Sequence, residues 1–398
     1  MYHLLYLLLI YFFLESYTEI TNNNGNEKNI LYKNRYTAHP KEDNIPFVDH
    51  DHEVIGHDQA IHQSSDPPDV ISLFYNLLSS DYDPDKEKLD FYATYSDRFE
   101  SASLSNKKLV MLDKAEDRFV SYDLENHAYQ QLAENGQGPG DVMFTQSMEV
   151  QDDTIYVGME DLRISRFILE NNSIIYDHTL QTEIVPFSIT LTSSELVTMG
   201  QPLVQDYDPD DKAAEYAAHI LNRDGDISKS FGQSYQSDIY MLKNILDRGS
   251  IEYSPENNIY ALAFNAFPYI YLFNEETELS KTFKLPNFEL SSLHYYSDEM
   301  RLRREENQEE SVIYHTTTIG SDWIIVHTFT NINPRSETNG EIIHDVRYDY
   351  YAINISKQKS YYIGNMKTES GQPQQRFHLS DYGILINKEG KLYWKGID

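Results

Sequence analysis

Histidines and carboxylates crowd one short stretch of this chain. His50, His52, His57 and His62 alternate there with Asp49, Asp51, Glu53 and Asp58. Neutral imidazoles beside carboxylates are the ligand types that hold Zn²⁺ or a similar ion. The piece His52-Glu-Val-Ile-Gly-His57 is close to a metalloprotease motif. That chemistry needs two histidines four residues apart on one helical face; these are five apart with a glycine between. A solvated linker is the plainer reading, ahead of adventitious metal capture. Asp206-Tyr-Asp-Pro-Asp-Asp211 gathers carboxylates that suit a hard cation such as Ca²⁺, but the EF-hand offsets are missing and a solvated acidic loop is favoured. Arg223-Asp-Gly-Asp226 is hairpin-turn chemistry. His127, His178, His219, His294, His315, His327, His344 and His378 are spread along the chain without a Gly-x-Ser-x-Gly elbow, so Ser-His-Asp catalysis has no support and each reads as structural.

Glu134-Asn-Gly-Gln-Gly-Pro-Gly-Asp141 is the most structured turn signal. A phosphate cradle would need a lysine and a following helix, and here Asp141 stands where positive charge is wanted and β-formers follow. Gly136, Gly138, Pro139 and Gly140 are therefore read as a tight structural turn, with positive φ expected at one glycine or more.

The elements that must position these residues are short. From Val70 onward, apolar runs of five to eight residues rich in Tyr, Phe, Ile and Val alternate with Asn, Asp, Gly and Ser. Six segments repeat one grammar of three strands, beginning at Lys108, Thr154, Glu195, Asn258, Trp323 and Gly383. The sixth is short of strands. A ring of blades can close by borrowing one from the N-terminal side, and Lys88-Leu-Asp-Phe-Tyr-Ala-Thr94 is a candidate. Lys212–Leu221, Tyr235–Leu246 and the charged insert Asp298–Glu310 are helix-compatible. The expected fold is all-β: a six-bladed β-propeller over residues 69–398 with short helical inserts, preceded by an export-signal-like apolar segment at 1–18 and a polar linker at 19–68.

Composition narrows the function. The net charge is −32, from 32 Lys plus Arg against 64 Asp plus Glu. Such a field repels phosphate backbones and anionic lipid, so nucleic acid is not an expected partner. It fits a self-repelling soluble surface, salt adaptation or an acidic patch that attracts a ligand. With no cysteine, disulfides, thiolate metal sites and a cysteine nucleophile are excluded. Leu4–Leu14 is apolar and the length of a signal-peptide core, although no Lys or Arg precedes it, only His3, and no Ala-x-Ala site follows.

The turn Gly136-Gln-Gly-Pro-Gly-Asp141, with Phe144 after it, resembles that of six-bladed β-propeller proteins common in Bacteroidetes-type bacteria, distant relatives of NHL-repeat and TolB-like propellers. The resemblance covers residues 70–398 and implies an exported protein. Members often begin with a lipoprotein signal carrying a cysteine, which this chain lacks. The expected function is a periplasmic or secreted, non-enzymatic binding or scaffolding module, with no cofactor. It would act as a monomer on an unknown protein, small-molecule or carbohydrate ligand. A membrane would be touched only through the N-terminal segment. The competing expectation is a propeller hydrolase or lyase with a metal-assisted site in the central channel.

Overall fold

The structure is a computed structural model. It describes residues 35–398 except 39–44, 48–50, 57–59, 62–66, 80–87, 93–98, 106, 171–172, 204–211, 236, 238–239, 291–292, 297–300, 305–308, 337–341, 369–374, 389–390 and 398. The apolar segment at 1–18 lies outside the described residues, as do His50, His57, His62 and Asp206–Asp211.

Six antiparallel sheets follow one another along the chain. Blade 1 comprises Phe99–Ser105, Lys108–Asp113, Arg118–Asp123 and Ala128–Gln131. Blade 2 comprises Thr145–Gln151, Thr154–Met159, Arg163–Glu170 and Ser173–Gln181; blade 3, Val185–Leu191, Leu196–Gln201, Tyr216–Leu221 and Ile227–Gln233. Blade 4 comprises Gly249–Ser254, Ile259–Phe264, Tyr269–Phe273 and Leu279–Lys284; blade 5, Glu310–Ile319, Trp323–Ser336, Ile342–Asn354 and Lys359–Thr368. Blade 6 contains Gln375–Ser380, Gly383–Lys388 and Lys391–Gly396. Its outermost strand is Lys88–Tyr92, with Lys391 opposite Tyr92 and Tyr393 opposite Lys88. The closing strand thus comes from the N-terminal side, as the short sixth repeat requires. The first strand of every blade lies against the first strands of both neighbours, from blade 1 round to blade 6 and back. That closed circuit makes the molecule a six-bladed β-propeller.

Strand alternation explains the packing. Successive residues of a strand face opposite sides of its blade. Val110 and Leu112 join Ile155 and Val157 in the core between blades 1 and 2. Leu109 and Met111, on the other face, join Leu385 and Leu392 between blades 6 and 1. The same division recurs at the other blade boundaries, where Ala261 and Ala263 face blade 5 and Leu262 and Phe264 face blade 3. Of the repeat positions expected to be interior, Leu109, Val110, Ile155, Val157, Leu196, Ile324 and Ile384 are buried, while Ile259 at a strand start is half-buried.

Three elements differ from their sequence reading. Asp69–Ser79 is a helix (α1), not part of a strand run. Val70, Ile71, Phe74 and Leu77 fall on one helical face and are all buried in the core shared with blades 5 and 6. Only Lys212–Glu215 (α2) of the 212–221 stretch is helical, because Tyr216–Leu221 pairs as a strand of blade 3; Tyr240–Leu246 (α3) is the helical part of the next stretch. The described part of the charged insert is not helical either: Arg301–Arg304 pairs antiparallel with Leu293–Tyr296, which pairs with Arg35–Ala38 on its other edge, and Glu310 already starts blade 5.

The expected linker at 19–68 is also more than a linker. Glu53–Val54 runs parallel to Leu279–Lys284 as a fifth strand of blade 4, and Ala60 bridges to Tyr362 at the outer edge of blade 5. Ile45, Ile55 and Ile61 are buried. The chain therefore crosses the outer edges of blades 4, 5 and 6 in turn, covering strand edges that would otherwise be open.

Candidate functional site

The innermost strands carry polar residues whose inward side chains face the axis and not a neighbouring sheet. Several of these bond sideways to the next blade. Ser147 donates to the Pro186 carbonyl at 2.9 Å, and the Ile251 N–H donates to Ser188 Oγ at 3.1 Å. Thr316 Oγ donates to Ser250 Oγ at 2.7 Å, and Thr318 Oγ to Glu252 Oε2 at 2.8 Å. These bonds lace blades 2 to 5 together.

The boundary between blades 5 and 6 is built differently. His315 on the inner strand of blade 5 sits opposite His327 on the next strand, with ring centroids 5.6 Å apart and edge to face. The His378 ring, from the inner strand of blade 6, is 6.3 Å from that of His315. Two residues before His378, Arg376 places its guanidinium carbon 5.3 Å from the Tyr314 ring and 5.9 Å from that of Tyr348. His327 shares a 3.3 Å hydrogen bond between Nδ1 and the Tyr314 hydroxyl, and its ring packs against Tyr350 at 5.1 Å and Phe74 of α1 at 6.4 Å. Tyr348, Tyr350 and His327 are fully buried, and Tyr314 and His315 are partly buried.

Burial sets its protonation. It pushes His327 well below the ordinary histidine value, with repulsion from His315 and His378 adding to the effect. His378 is pushed down to about 3 by burial first, then by His315, Arg376 and Lys114. Burial also raises the Tyr314 and Tyr350 phenols. Neutral imidazoles and phenols thus surround a permanently charged guanidinium. Among the described residues Arg376 has no ion pair, and its Nε is buried without a hydrogen bond, as are His327 Nε2 and the Tyr350 hydroxyl. The neighbouring carboxylate of Asp349 is engaged elsewhere, by Arg347 at 2.6 Å and the Tyr362 hydroxyl at 3.2 Å.

Of the residues singled out in the sequence, His315, His327 and His378 meet in this nest, while the Gly136–Asp141 turn and Glu53 make their contacts elsewhere. The Gly136–Asp141 turn joins blade 1 to blade 2 and closes on itself: Gly136 N–H donates to the Val142 carbonyl, Gly138 N–H to the Asp141 carboxylate at 2.9 Å, and Asp141 N–H to the Gly138 carbonyl. Gly140 has φ +84°. Donors already used within the turn are not available to a phosphate. Of the histidine-rich stretch, Glu53 accepts from Lys281 at 2.7 Å and His52 packs on Tyr269. Among the described residues no group of three or more His, Asp or Glu side chains is placed to hold a metal ion. His219 shares a hydrogen bond with Ser230, and His178 pairs with Asp177. Asn222 accepts from the N–H groups of Asp224 and Asp226, which closes the Asp-Gly hairpin. His315, His327 and His378 were visible only as separate histidines. Arg376 was visible only as the start of a strand, and the alternation of Arg376 with His378 was the one signal that both share a face.

No family model matches the chain, and no curated protein matches it. Solved structures do resemble it. One is a member of the DUF4221 family from Bacteroides vulgatus, at 10% identity and TM-score 0.49, covering 78% of this chain and 95% of that one. Another is a protein of Bacteroides fragilis thought to be exported, at 12% identity and TM-score 0.48, covering 77% and 86%. A third is virginiamycin B lyase from Staphylococcus aureus, at 11% identity and TM-score 0.40, covering 77% and 98%.

Proposed function

We propose that this chain is an exported, non-enzymatic propeller binding module whose ligand docks at the nest between blades 5 and 6. The observation that carries this reading is the convergence of His315, His327, His378 and Arg376 from neighbouring strands of two blades, with His315 and Tyr314 only partly buried. Elsewhere on the inner strands, polar groups are engaged by the neighbouring blade; here buried polar atoms remain without partners. A ring of packed blades holds such a site rigidly, so little ordering cost falls on binding. Export is supported by the apolar run Leu4–Leu14.

The second reading, a hydrolase or lyase with a metal-assisted channel site, draws on the same three histidines, since burial keeps His327 and His378 neutral as metal ligands require. It lacks a carboxylate within the nest to serve as base or further ligand. One experiment separates the two. The purified full chain is screened by ligand-observed NMR against a panel of neutral and acidic sugars and small organic acids, with His315→Trp as the blocked variant. The binding reading expects contacts that His315→Trp abolishes, with the ligand recovered unchanged after prolonged incubation. Conversion of a bound panel member, stimulated by added Zn²⁺ or Mn²⁺, would replace it with the enzyme reading.

A further inference from the structure

We propose that Arg376 anchors a carboxylate, so that the ligand is a small organic acid or an acidic sugar. This inference rests on the binding reading above and names its ligand class. Three observations carry it.

Arg376 is 9% exposed, yet among the described residues no Asp or Glu pairs with it. A guanidinium stays charged at any physiological pH, and a buried charge without a counterion is costly. Stacking on Tyr314 and Tyr348 offsets part of that cost but engages only the faces of the planar group. Its in-plane N–H donors remain unused by the protein, with Nε buried and unpartnered. A planar carboxylate accepting two parallel hydrogen bonds is the partner that fits such an edge.

The surroundings hold no competitor. Asp349 is held by Arg347 and Tyr362, and Glu252 accepts from Thr316 and Thr318 on the far side of the blade 5 inner strand. Lys114, whose Nζ donates to the Gln146 carbonyl at 2.6 Å, lies close enough to His378 to act on its titration, which adds a second positive charge on the blade 1 side. The third observation is partial exposure: Tyr314, against whose ring the guanidinium packs, and its neighbour His315 are not fully buried. In a chain of net charge −32 this is a local positive spot within a repulsive field, which selects for a ligand whose negative charge is confined to one group.

The test is calorimetric titration of the full chain with glucuronate, glucose, acetate and sulfate. Wild type is compared with Arg376→Met, Arg376→Lys and His315→Gln, each checked for fold by circular dichroism and melting temperature. Saturable binding of glucuronate is expected, with glucose at least roughly tenfold weaker, as the loss of a charge-assisted hydrogen-bonded pair implies. Acetate should compete with glucuronate. Arg376→Lys keeps the charge but loses the planar fork, and should also weaken glucuronate binding roughly tenfold; it carries the test if Arg376→Met does not fold. Equal binding of glucose and glucuronate would overturn the carboxylate while leaving the binding module standing, provided His315→Gln still weakens both. Sulfate matching acetate, or unchanged glucuronate affinity in folded Arg376→Lys, would also overturn it. Absence of any saturable binding by wild type would remove the proposal together with the choice of nest as the binding site.

Discussion

Arg376 and Asp247 are buried charges that their surroundings treat differently. Asp247 lies at the end of α3 with Lys243 one turn before it, Nζ to Oδ2 at 2.8 Å, and its other oxygen accepts from the Tyr235 N–H at 2.6 Å. Lys243 also donates to Ser234 Oγ and the Tyr235 carbonyl, so the pair pins α3 to the turn that leaves blade 3. Burial outweighs the lysine and raises Asp247 from 3.8 to about 6. A carboxyl raised in the folded state gives stability that is present below 3.8 and lost as pH rises through about 6. His378 works in the opposite direction. Its folded value near 3 lies below the unfolded 6.5, so its contribution is full above 6.5 and drains away as pH falls. Urea unfolding at four pH values between 3.8 and 6.5 should separate them. Relative to Asp247→Asn, wild type should lose stability with rising pH; relative to His378→Gln, it should gain. An opposite slope for Asp247 would mean that Lys243 dominates. At Gly140 the argument is steric. Its φ is +84°, and an added Cβ would sit 3.0 Å from the Tyr176 ring. Gly140→Val should cost roughly 1–3 kcal/mol in chemical denaturation, as strained backbone positions do, without changing ligand affinity at the nest.

At the scale of elements, the outer three strands of each blade were legible, whereas in blades 1 to 5 the innermost was not. Lys108-Leu-Val-Met-Leu-Asp113 reads as a strand because both its faces are buried against other blades. Thr145-Gln-Ser-Met-Glu-Val-Gln151 does not, since inner strands carry Ser, Thr and Glu for bonds to the next blade and for the axis. The candidate site draws its residues from three strands of two blades, so they were visible singly and their convergence was not. Sequence neighbours such as the His50–His62 cluster drew attention because they are close in the chain, whereas His315 and His378 meet only when the ring closes. The N-terminal crossing was missed for another reason: Ile45, Ile55 and Ile61 are isolated apolar residues in a polar stretch, and one residue at a time gives no periodicity. Their burial changes what truncation should do. Removing residues 1–44 should leave the melting temperature close to that of the full chain. Removing residues 1–62 takes away Ile55, Ile61 and the fifth strand of blade 4, and should lower it clearly. Ile55→Ala alone should cost about 2–5 kcal/mol by denaturant titration, the range for emptying a buried isoleucine site. Equal melting of the two truncations would mean that the crossing contributes nothing to stability.

For the whole molecule, one strand holds the circle shut, and net charge governs what happens when it lets go. Lys88–Tyr92 completes blade 6, and Leu89 from it is 3% exposed in the core between blades 6 and 1, beside Leu109, Leu385 and Leu392. Leu89→Asp would place a carboxylate among those leucines, and ionised burial there is too costly to persist without a partner. The strand should detach and uncover the edge of Lys391–Gly396, an unpaired row of N–H and C=O groups that templates pairing with another copy. Two forces then oppose each other. Edge pairing draws copies together at contact range, while a charge of −32 on each copy repels from further away. Salt acts on the second force far more than on the first, because the Debye length falls from about 10 Å at 0.1 M to about 3 Å at 1 M. Leu89→Asp should therefore stay mainly monomeric at low ionic strength, with a reduced melting temperature, and associate as salt rises. Wild type should show no such change. Light scattering across a salt series reads this directly. Association that weakens with salt would point to attraction between charged patches, and unchanged melting would show that the circle does not depend on this strand.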